Sequence, residues 1–511
     1  METIVQYLLL ALALTSVQIS YTESRLNEKR RDKTERRYHA TQLKDNICET
    51  TDRESKVHCY CENTEVKTAT RADCWVFNGG IDESNPIWSS FSSQPYLERL
   101  TFNVRSDGAL KFIPMQVIHR LKRLQKLYIH YATLSKIEKK TFSNMSTVRE
   151  ITLMNNKITE LDFSSFTNLP ALVNLTIKEN KVTEIQRDVF VDLPSLRCLD
   201  LSFNSINLAH DGCFEHLTVL NDLILEANSI TILTRDTFRG LANLTRLDLR
   251  SNKLSMIGDL TFTELWNLNE LLLDNNELKY LSERAFDGLV LLQKLSMTGN
   301  KLKSINEGLL EGVRGLDLLD LRNNEIEFFS YENVKPIIEN LKMKTSVLYL
   351  SGNNLSCDCR LSWIQSLKNE TKSEVLRTAL DDVTCIPMVS GKSERISNDV
   401  TQYEIKESKN IFEVVTSSDL LQQDANDGEF YEETNQSLKS DPTVQPLVRE
   451  QVTVIDMPVD SLPCPSELTQ NKEDSLMLSS KDENYWRTNS CITVHSNLFT
   501  VLSLFVMTIL Q

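Results

Sequence analysis

A period of 24 residues constrains this chain more than any other feature. The segment Val148-Arg-Glu-Ile151-Thr-Leu153-Met-Asn-Asn156-Lys-Ile158 sets a frame, L-x-x-L-x-L-x-x-N-x-L. The frame returns at Leu172, Leu196, Leu220, Leu244, Leu268, Leu292 and Leu316, and its asparagines run from Asn156 to Asn324 in equal steps. An earlier copy starts at Leu124 with Ala132 in the asparagine slot, a looser one starts at Leu97, and a last one closes on Asn353-Asn-Leu355. Self-similarity of this kind is the mark of a solenoid. Leu-x-Leu alternation makes a short strand with one buried face. The recurring Asn offers donors and acceptors, so it can satisfy backbone groups where the chain turns. A second apolar column, from Phe142 and Phe166 through Phe238 to Phe286, should stack as a spine on the convex side. No repeat can bury its apolar edge alone, so the repeats must stack. Strands about 4.8 Å apart would give a parallel concave sheet roughly 50 Å long.

The exposed ends of such a core need caps. Upstream lie Cys48, Cys59, Cys61 and Cys74; downstream, Cys357-Asp-Cys359-Arg-Leu-Ser-Trp363 follows the last repeat, with Cys385 beyond. The frame and these cysteine clusters resemble the extracellular leucine-rich-repeat proteins and their cysteine-rich flanks. That resemblance implies an α/β leucine-rich-repeat solenoid of about eleven repeats, over residues 97–355, with an N-cap at 48–80 and a C-cap at 356–389. It also implies the pairs Cys48–Cys61, Cys59–Cys74 and Cys357–Cys385. The family C-cap has a fourth cysteine nearby, whereas the next one here is Cys464, so the partner of Cys359 stays open. Zinc held by His58, Cys59 and Cys61 is the competing reading of the N-cap. Cys198 and Cys213, within one repeat, read as free thiols or as one further bridge.

The remaining stretches set the compartment. Residues 1–24 carry an apolar run from Ile4 to Leu14 followed by small and polar residues, which reads as a secretory signal. Secretion places the eleven cysteines in an oxidising environment. Residues 25–47 read as a charged leader. Residues 390–489, rich in Asp, Glu, Ser, Thr and Gln, read as a disordered acidic stalk. Residues 490–511 end in a short apolar tail with no Lys or Arg after it, and Asn489 and Ser490 stand before it. That pattern fits a removed GPI-attachment signal, with the protein then held on the extracellular face of the plasma membrane. A short spanning helix or a fully secreted form are the alternatives.

The net charge of −15 disfavours nucleic acid and anionic lipid surfaces as partners. No G-x-S-x-G, H-E-x-x-H, P-loop or G-x-G-x-x-G motif occurs, so an enzyme is not expected, nor is a cofactor. Six N-x-[ST] sequons, at Asn144, Asn174, Asn243, Asn354, Asn369 and Asn435, mark candidate glycosylation sites. By the frame, Asn174 points out of the concave sheet. So do Arg246, Asp248, Arg250, Glu270, Leu272 and Asp274, which are the expected contact residues. Mixed signs with apolar groups between them suit a protein partner.

The N-cap stretch Cys59-Tyr-Cys61-Glu-Asn…Ala-Asp-Cys74-Trp-Val-Phe77, the regular repeats and the Cys357-Asp-Cys359 flank are similar to the insect connectin-like, chaoptin-related cell adhesion proteins. That resemblance implies homophilic adhesion between cells of the nerve–muscle kind, through a partner copy on an opposing cell. An innate-immune protein that recognises microbial ligands is the other class this architecture serves.

Overall fold

The computed structural model describes residues 46–49, 55–387 and 451–458, together with 462 and 464. The readings of 1–24, most of 25–47, 490–511, Asn435, Asn489 and Ser490 lie outside the described residues, as does most of 390–489.

The Leu-x-Leu segments form one sheet of thirteen strands. Its first two strands, Val57–Cys61 and Arg71–Val76, are an antiparallel hairpin with Cys59 opposite Cys74. Every later strand runs parallel, from Arg99–Val104 to Val347–Tyr349, in strict register: Arg246 pairs with Glu270, and Leu247 with Leu271. The inward leucines are fully buried. Each asparagine holds two turns together. Asn252 donates through Nδ2 to Leu225 O (2.9 Å) and Leu249 O (3.0 Å), and its Oδ1 accepts from Ile230 N (3.0 Å). A buried amide with partners on both ends costs nothing in unmet hydrogen bonds. An apolar residue in that slot would strand several backbone groups at once.

The phenylalanines form the spine. Phe142, Phe166 and Phe190 stack at 5.1 and 5.8 Å, and Phe238, Phe262 and Phe286 at 5.8 and 6.2 Å. The convex returns are turns and two-residue strands such as Phe166–Thr167, with few helical turns. A repeat of 24 residues leaves little chain for a full helix after the strand and its turn, so the helical share of this α/β frame is small.

Both caps are larger than the cysteine spacing suggests. At the N-terminal end Asn46 and Ile47, assigned above to the leader, belong to the cap. Ile47 is fully buried, and Asn46 donates to Thr64 O (2.6 Å) and accepts from Gln94 Nε2 (3.2 Å). The unassigned stretch 81–96 supplies Trp88 and Phe91, which pack beside Phe102 under the hairpin. The disulfides are Cys48–Cys61, Cys59–Cys74 and Cys357–Cys385. Cys359 is disulfide-bonded as well. Because Cys59 and Cys61 are both oxidised, they cannot serve as thiolate ligands, and the zinc reading falls. Cys198 and Cys213 are free thiols.

At the C-terminal end the helices Ser362–Glu370 and Glu374–Asp381 close the core, burying Trp363, Ile364, Leu367, Leu376 and Leu380. The stalk boundary needs correction here. The strand Val452–Thr453 pairs antiparallel with Thr384–Pro387, and Val454 is fully buried. Gln365 Nε2 ties the segment down, donating to Val454 O (3.1 Å) and Met457 O (2.7 Å). The strand at 384–387 has an open edge, and edges recruit further strands. A few apolar residues, Val452, Val454 and Met457, suffice for docking but are too few to register as a pattern in a polar tail. Among the described residues no helix is long and apolar enough to cross a membrane.

Candidate partner-binding face

Outward slots of the sheet line the concave face, and its two ends differ. In the repeats from Asp222 to Arg322 the charges answer one another. Arg246 donates to Glu270 Oε2 (3.0 Å) and to Asp248 Oδ2 (2.9 Å). Arg250 forks onto Asp248 at 2.8 and 2.7 Å and reaches Glu226 at 3.3 Å. Lys294 donates to Glu270 Oε1 (2.6 Å), and Arg322 forks onto Asp320 (3.0 and 2.6 Å) while lying over the Tyr349 ring. Asp274 accepts from Ser296 and from the Thr298 amide (2.9 Å). The hydrogen bonds to Asp248 hold Arg250 further above its ordinary pKa.

The Asp248 side chain is only 1% exposed, and Leu272 is also buried. Two of the six expected contact residues therefore cannot meet a partner directly. They sit low in the pleat, beneath long neighbours that the strand frame alone does not rank by height. Arg246, Arg250, Glu270 and Asp274 present surface.

The N-terminal end joins Lys126 and Glu150, which the frame places on the concave face, to outward residues of the first repeats, Arg99, Tyr128 and His130. Arg99 lies 4.8 Å over the ring of Tyr128, and His130 stacks on the same ring at 6.1 Å. Tyr128 donates to Glu150 Oε1 (2.8 Å), and Lys126 pairs with Glu150 Oε2 (2.9 Å). Burial, then the bond to Glu150, pushes the Tyr128 phenol up to about 12. Burial would raise the Glu150 carboxyl, but the hydrogen bonds from Lys126 and Tyr128 outweigh it and hold it low. Burial, then the charge of Arg99, pushes the His130 imidazole below its ordinary value. Three buried polar atoms here, Arg99 Nε, Thr101 Oγ1 and His130 Nδ1, have no hydrogen-bond partner among the described residues; Thr298 Oγ1 is the comparable atom at the other end. Exposed Trp75 and Tyr131 flank the patch. The signal that could have found it is the looser repeat at Leu97: its strand Arg99–Val104 continues the same outward slots after a longer, 27-residue step.

Asn174 is exposed on the strand between Glu150 and Cys198, and Asn144, Asn243, Asn354 and Asn369 are exposed elsewhere. Cys198 shares the concave face, where burial and then Asp222 and Asp200 push its thiol up to about 11, away from reactive thiolate. On the convex side Asp188, Glu215 and His216 bring ligand atoms within 4.8 Å of one another. Arg239 already occupies Glu215 there, and His216 pairs with Asp188 at 3.1 Å.

Residues 146–206, 198–254 and 242–302 match the leucine-rich-repeat family. Among curated proteins the chain is similar to connectin of Drosophila melanogaster, 38% identical over 110 residues, which is 21% of this chain and 16% of that protein. The match thus spans about a sixth of its relative's length. Among solved structures it is similar to a chain of the Drosophila Toll–Spätzle complex, at 21% identity and a TM-score of 0.46, over 58% of this chain and 50% of that one. It is also similar to a chain of the octameric complex of latrophilin 3, Unc5D and FLRT2, at 21% identity and a TM-score of 0.37, over 48% of this chain and 81% of that one. The chain carries leucine-rich repeats, and over those 110 residues it is similar to connectin.

Proposed function

We propose that this protein is a cell-surface adhesion molecule that binds protein partners across its concave face, with a second copy on an opposing cell as the partner. The observation that carries the reading is the N-terminal patch. Arginine, tyrosine and tryptophan are the residues that anchor protein interfaces. Buried polar atoms without partners are costly unless something supplies the missing hydrogen bonds. A protein loop bearing carboxylates and carbonyls can do that.

The contrast between the two ends supports homophily. In a two-fold pair residue i of one copy meets residue j of the other and the reverse, so one end of the face can meet the opposite end of its copy. Antiparallel docking lays the orphaned patch of one copy over the carboxylate-bearing end of the other, where Glu270 and Asp274 present surface. The connectin likeness supports the same reading. A GPI anchor near Asn489 or Ser490 would leave the solenoid facing outward, and phospholipase C specific for phosphatidylinositol should then release the protein from cells. The experiment is bead aggregation with the purified protein. Beads carrying it should cluster with one another. Clustering only after a second protein is added would make the adhesion heterophilic, and binding to microbial surfaces alone would favour the immune class.

A further inference from the structure

The flank between the asparagine turns and the phenylalanine spine carries its own column, one residue per repeat. In the early repeats the slot holds Lys136, Glu160 and Glu184, and these charges are answered locally. Lys136 Nζ lies 3.2 Å from Glu160 and 2.9 Å from Asp162, and Glu184 lies 3.1 Å from His210. From the next repeat onward the slot turns apolar, with Ser304 as the exception. Leu208, Ile232, Met256, Tyr280 and Phe328 are each between 41% and 66% exposed. Met256 and Tyr280 are register partners whose inward neighbours Ile257 and Leu281 are buried, so the exposed side chains stand side by side. Arg360 covers the ring of Phe328 at 4.2 Å. The open stripe therefore runs from Leu208 to Tyr280, three strand spacings or about 15 Å. Contiguous exposed apolar surface rimmed by charge marks an interface.

The rim is asymmetric. Toward the concave face lie Lys279 and Lys303, one residue before the stripe slot, and Lys253, three residues before it; toward the spine lie Asp259, Glu283 and Glu307, each three residues after it, and all six are exposed. None of the six has an ion-pair partner among the described residues, whereas Lys301 and Glu277 beside them neutralise each other at 3.0 Å. Arg235, one repeat earlier, reverses the sign on the acidic side, so the matched window begins at Lys253. None of the six sequons falls between Lys253 and Glu307.

We infer that this flank is a self-association surface on which two copies meet stripe to stripe, about a two-fold axis parallel to the solenoid. The charges choose the axis. Rotation about an axis along the stripe exchanges its two sides, so the lysine side of one copy faces the acidic side of the other. Lys279 then meets Glu283 of the partner subunit and Lys303 meets Glu307 of the partner subunit, while Lys253, set further toward the concave face, lies on the side of Asp259 of the partner subunit. Rotation about an axis across the stripe would set lysines against lysines, a repulsive arrangement. The chosen axis points both chains the same way and brings each residue of the stripe level with its own copy. The pair forms side by side, with both C-caps at one end and both concave faces left open. The inference rests on this flank and stands independently of the concave-face reading.

The full chain, purified in detergent, should sediment as a reversible dimer. Ile232→Glu should weaken dimerisation by at least about tenfold, as a charge in the apolar centre of an interface does. Lys279→Glu should weaken it as well, and adding Glu283→Lys to the same chain should restore it. On the cell surface Met256→Cys should yield an inter-chain disulfide on a non-reducing gel, above the background of the wild-type chain, while Lys136→Cys should not. All these positions are exposed, so melting temperatures should stay near wild type. A chain that remains monomeric at every concentration, a gain in association with Lys279→Glu, or no crosslink with Met256→Cys would each overturn the proposal.

Discussion

Arg250 and Arg99 occupy outward slots of the same sheet, and their surroundings could hardly differ more. Arg250 is engaged on every side: two bonds to buried Asp248, a third contact with Glu226, and Arg246 bridging onward to Glu270 and Lys294. Arg99 lies on Tyr128 with its Nε unmet, beside two other orphaned atoms. A network that is complete within one chain gains little from a partner, since a newcomer must displace bonds already made. A patch with unmet donors and acceptors gains from any partner that supplies them. The C-terminal half of the face therefore holds the sheet's shape and offers a partner only its partly exposed carboxylates as acceptors, whereas the N-terminal half holds the unmet groups that gain from meeting them.

That division can be broken most forcefully at Asp248. The double change Arg246→Met with Arg250→Met leaves its carboxylate buried with no cationic partner. Removing the partners of a buried charge costs about 3–5 kcal/mol. Equilibrium denaturant unfolding should show that loss, and a change below about 1 kcal/mol would mean that the network does not hold the fold.

Tyr128→Ala tests the other end. It removes the ring that Arg99 and His130 share. Anchor residues at interface centres cost about 2 kcal/mol or more on truncation, roughly thirtyfold in affinity. Bead clustering should fall accordingly while the melting temperature moves by only a few degrees. Unchanged clustering would move the binding site off this patch.

The sequence made some of this legible and not the rest, for identifiable reasons. The 24-residue frame located the buried leucines, the bonded asparagines and the phenylalanine spine, because each is a core requirement that every repeat must meet. It also placed Arg246, Arg250, Glu270 and Asp274 on the concave side. It could not show that Asp248 lies beneath two arginines, because depth within one face depends on how neighbouring side chains lie, and no single repeat encodes that. Tyr128, Thr101 and His130 escaped because the repeats that hold them are irregular. The docked segment 451–458 escaped because its partner strand is more than sixty residues away in sequence, and pairing over such separations leaves no local pattern.

A charge exchange asks whether the two ends meet in the homophilic contact. Arg250 is unsuited to it, since reversal would set a carboxylate beside buried Asp248. Lys126 and Glu270 are better placed, each half exposed or partly so. Lys126→Glu on one bead population and Glu270→Lys on another should each slow self-clustering, and mixing the two populations should recover part of the rate. Charges near an interface edge act mainly on association, so a severalfold effect is expected, steepest at low salt. Two slowed populations that stay slow when mixed would argue that the ends do not face each other.

The smallest effect concerns His130. Its imidazole is held below the ordinary histidine value in the folded chain, by burial first and Arg99 second. The unfolded chain therefore takes up the proton more readily than the folded one. Stability then rises with pH where the two states differ in bound protons. The contribution of neutral His130 is full above the unfolded value, near 6.5, and is lost as pH falls through that value toward the folded one. His130→Gln, which keeps polar atoms at the site and cannot titrate, should flatten the part of the stability profile that falls away below the ordinary histidine value. The proposed partner surface presents carboxylates, which favour the protonated ring, so binding should raise the His130 titration midpoint read by NMR, and adhesion should strengthen on mild acidification. A midpoint that falls on binding would mean that the partner donates a hydrogen bond to Nδ1 and keeps the ring neutral, against a carboxylate contact. A midpoint that does not move would place the contact away from His130, and with it away from the orphaned atoms that distinguish this end of the face.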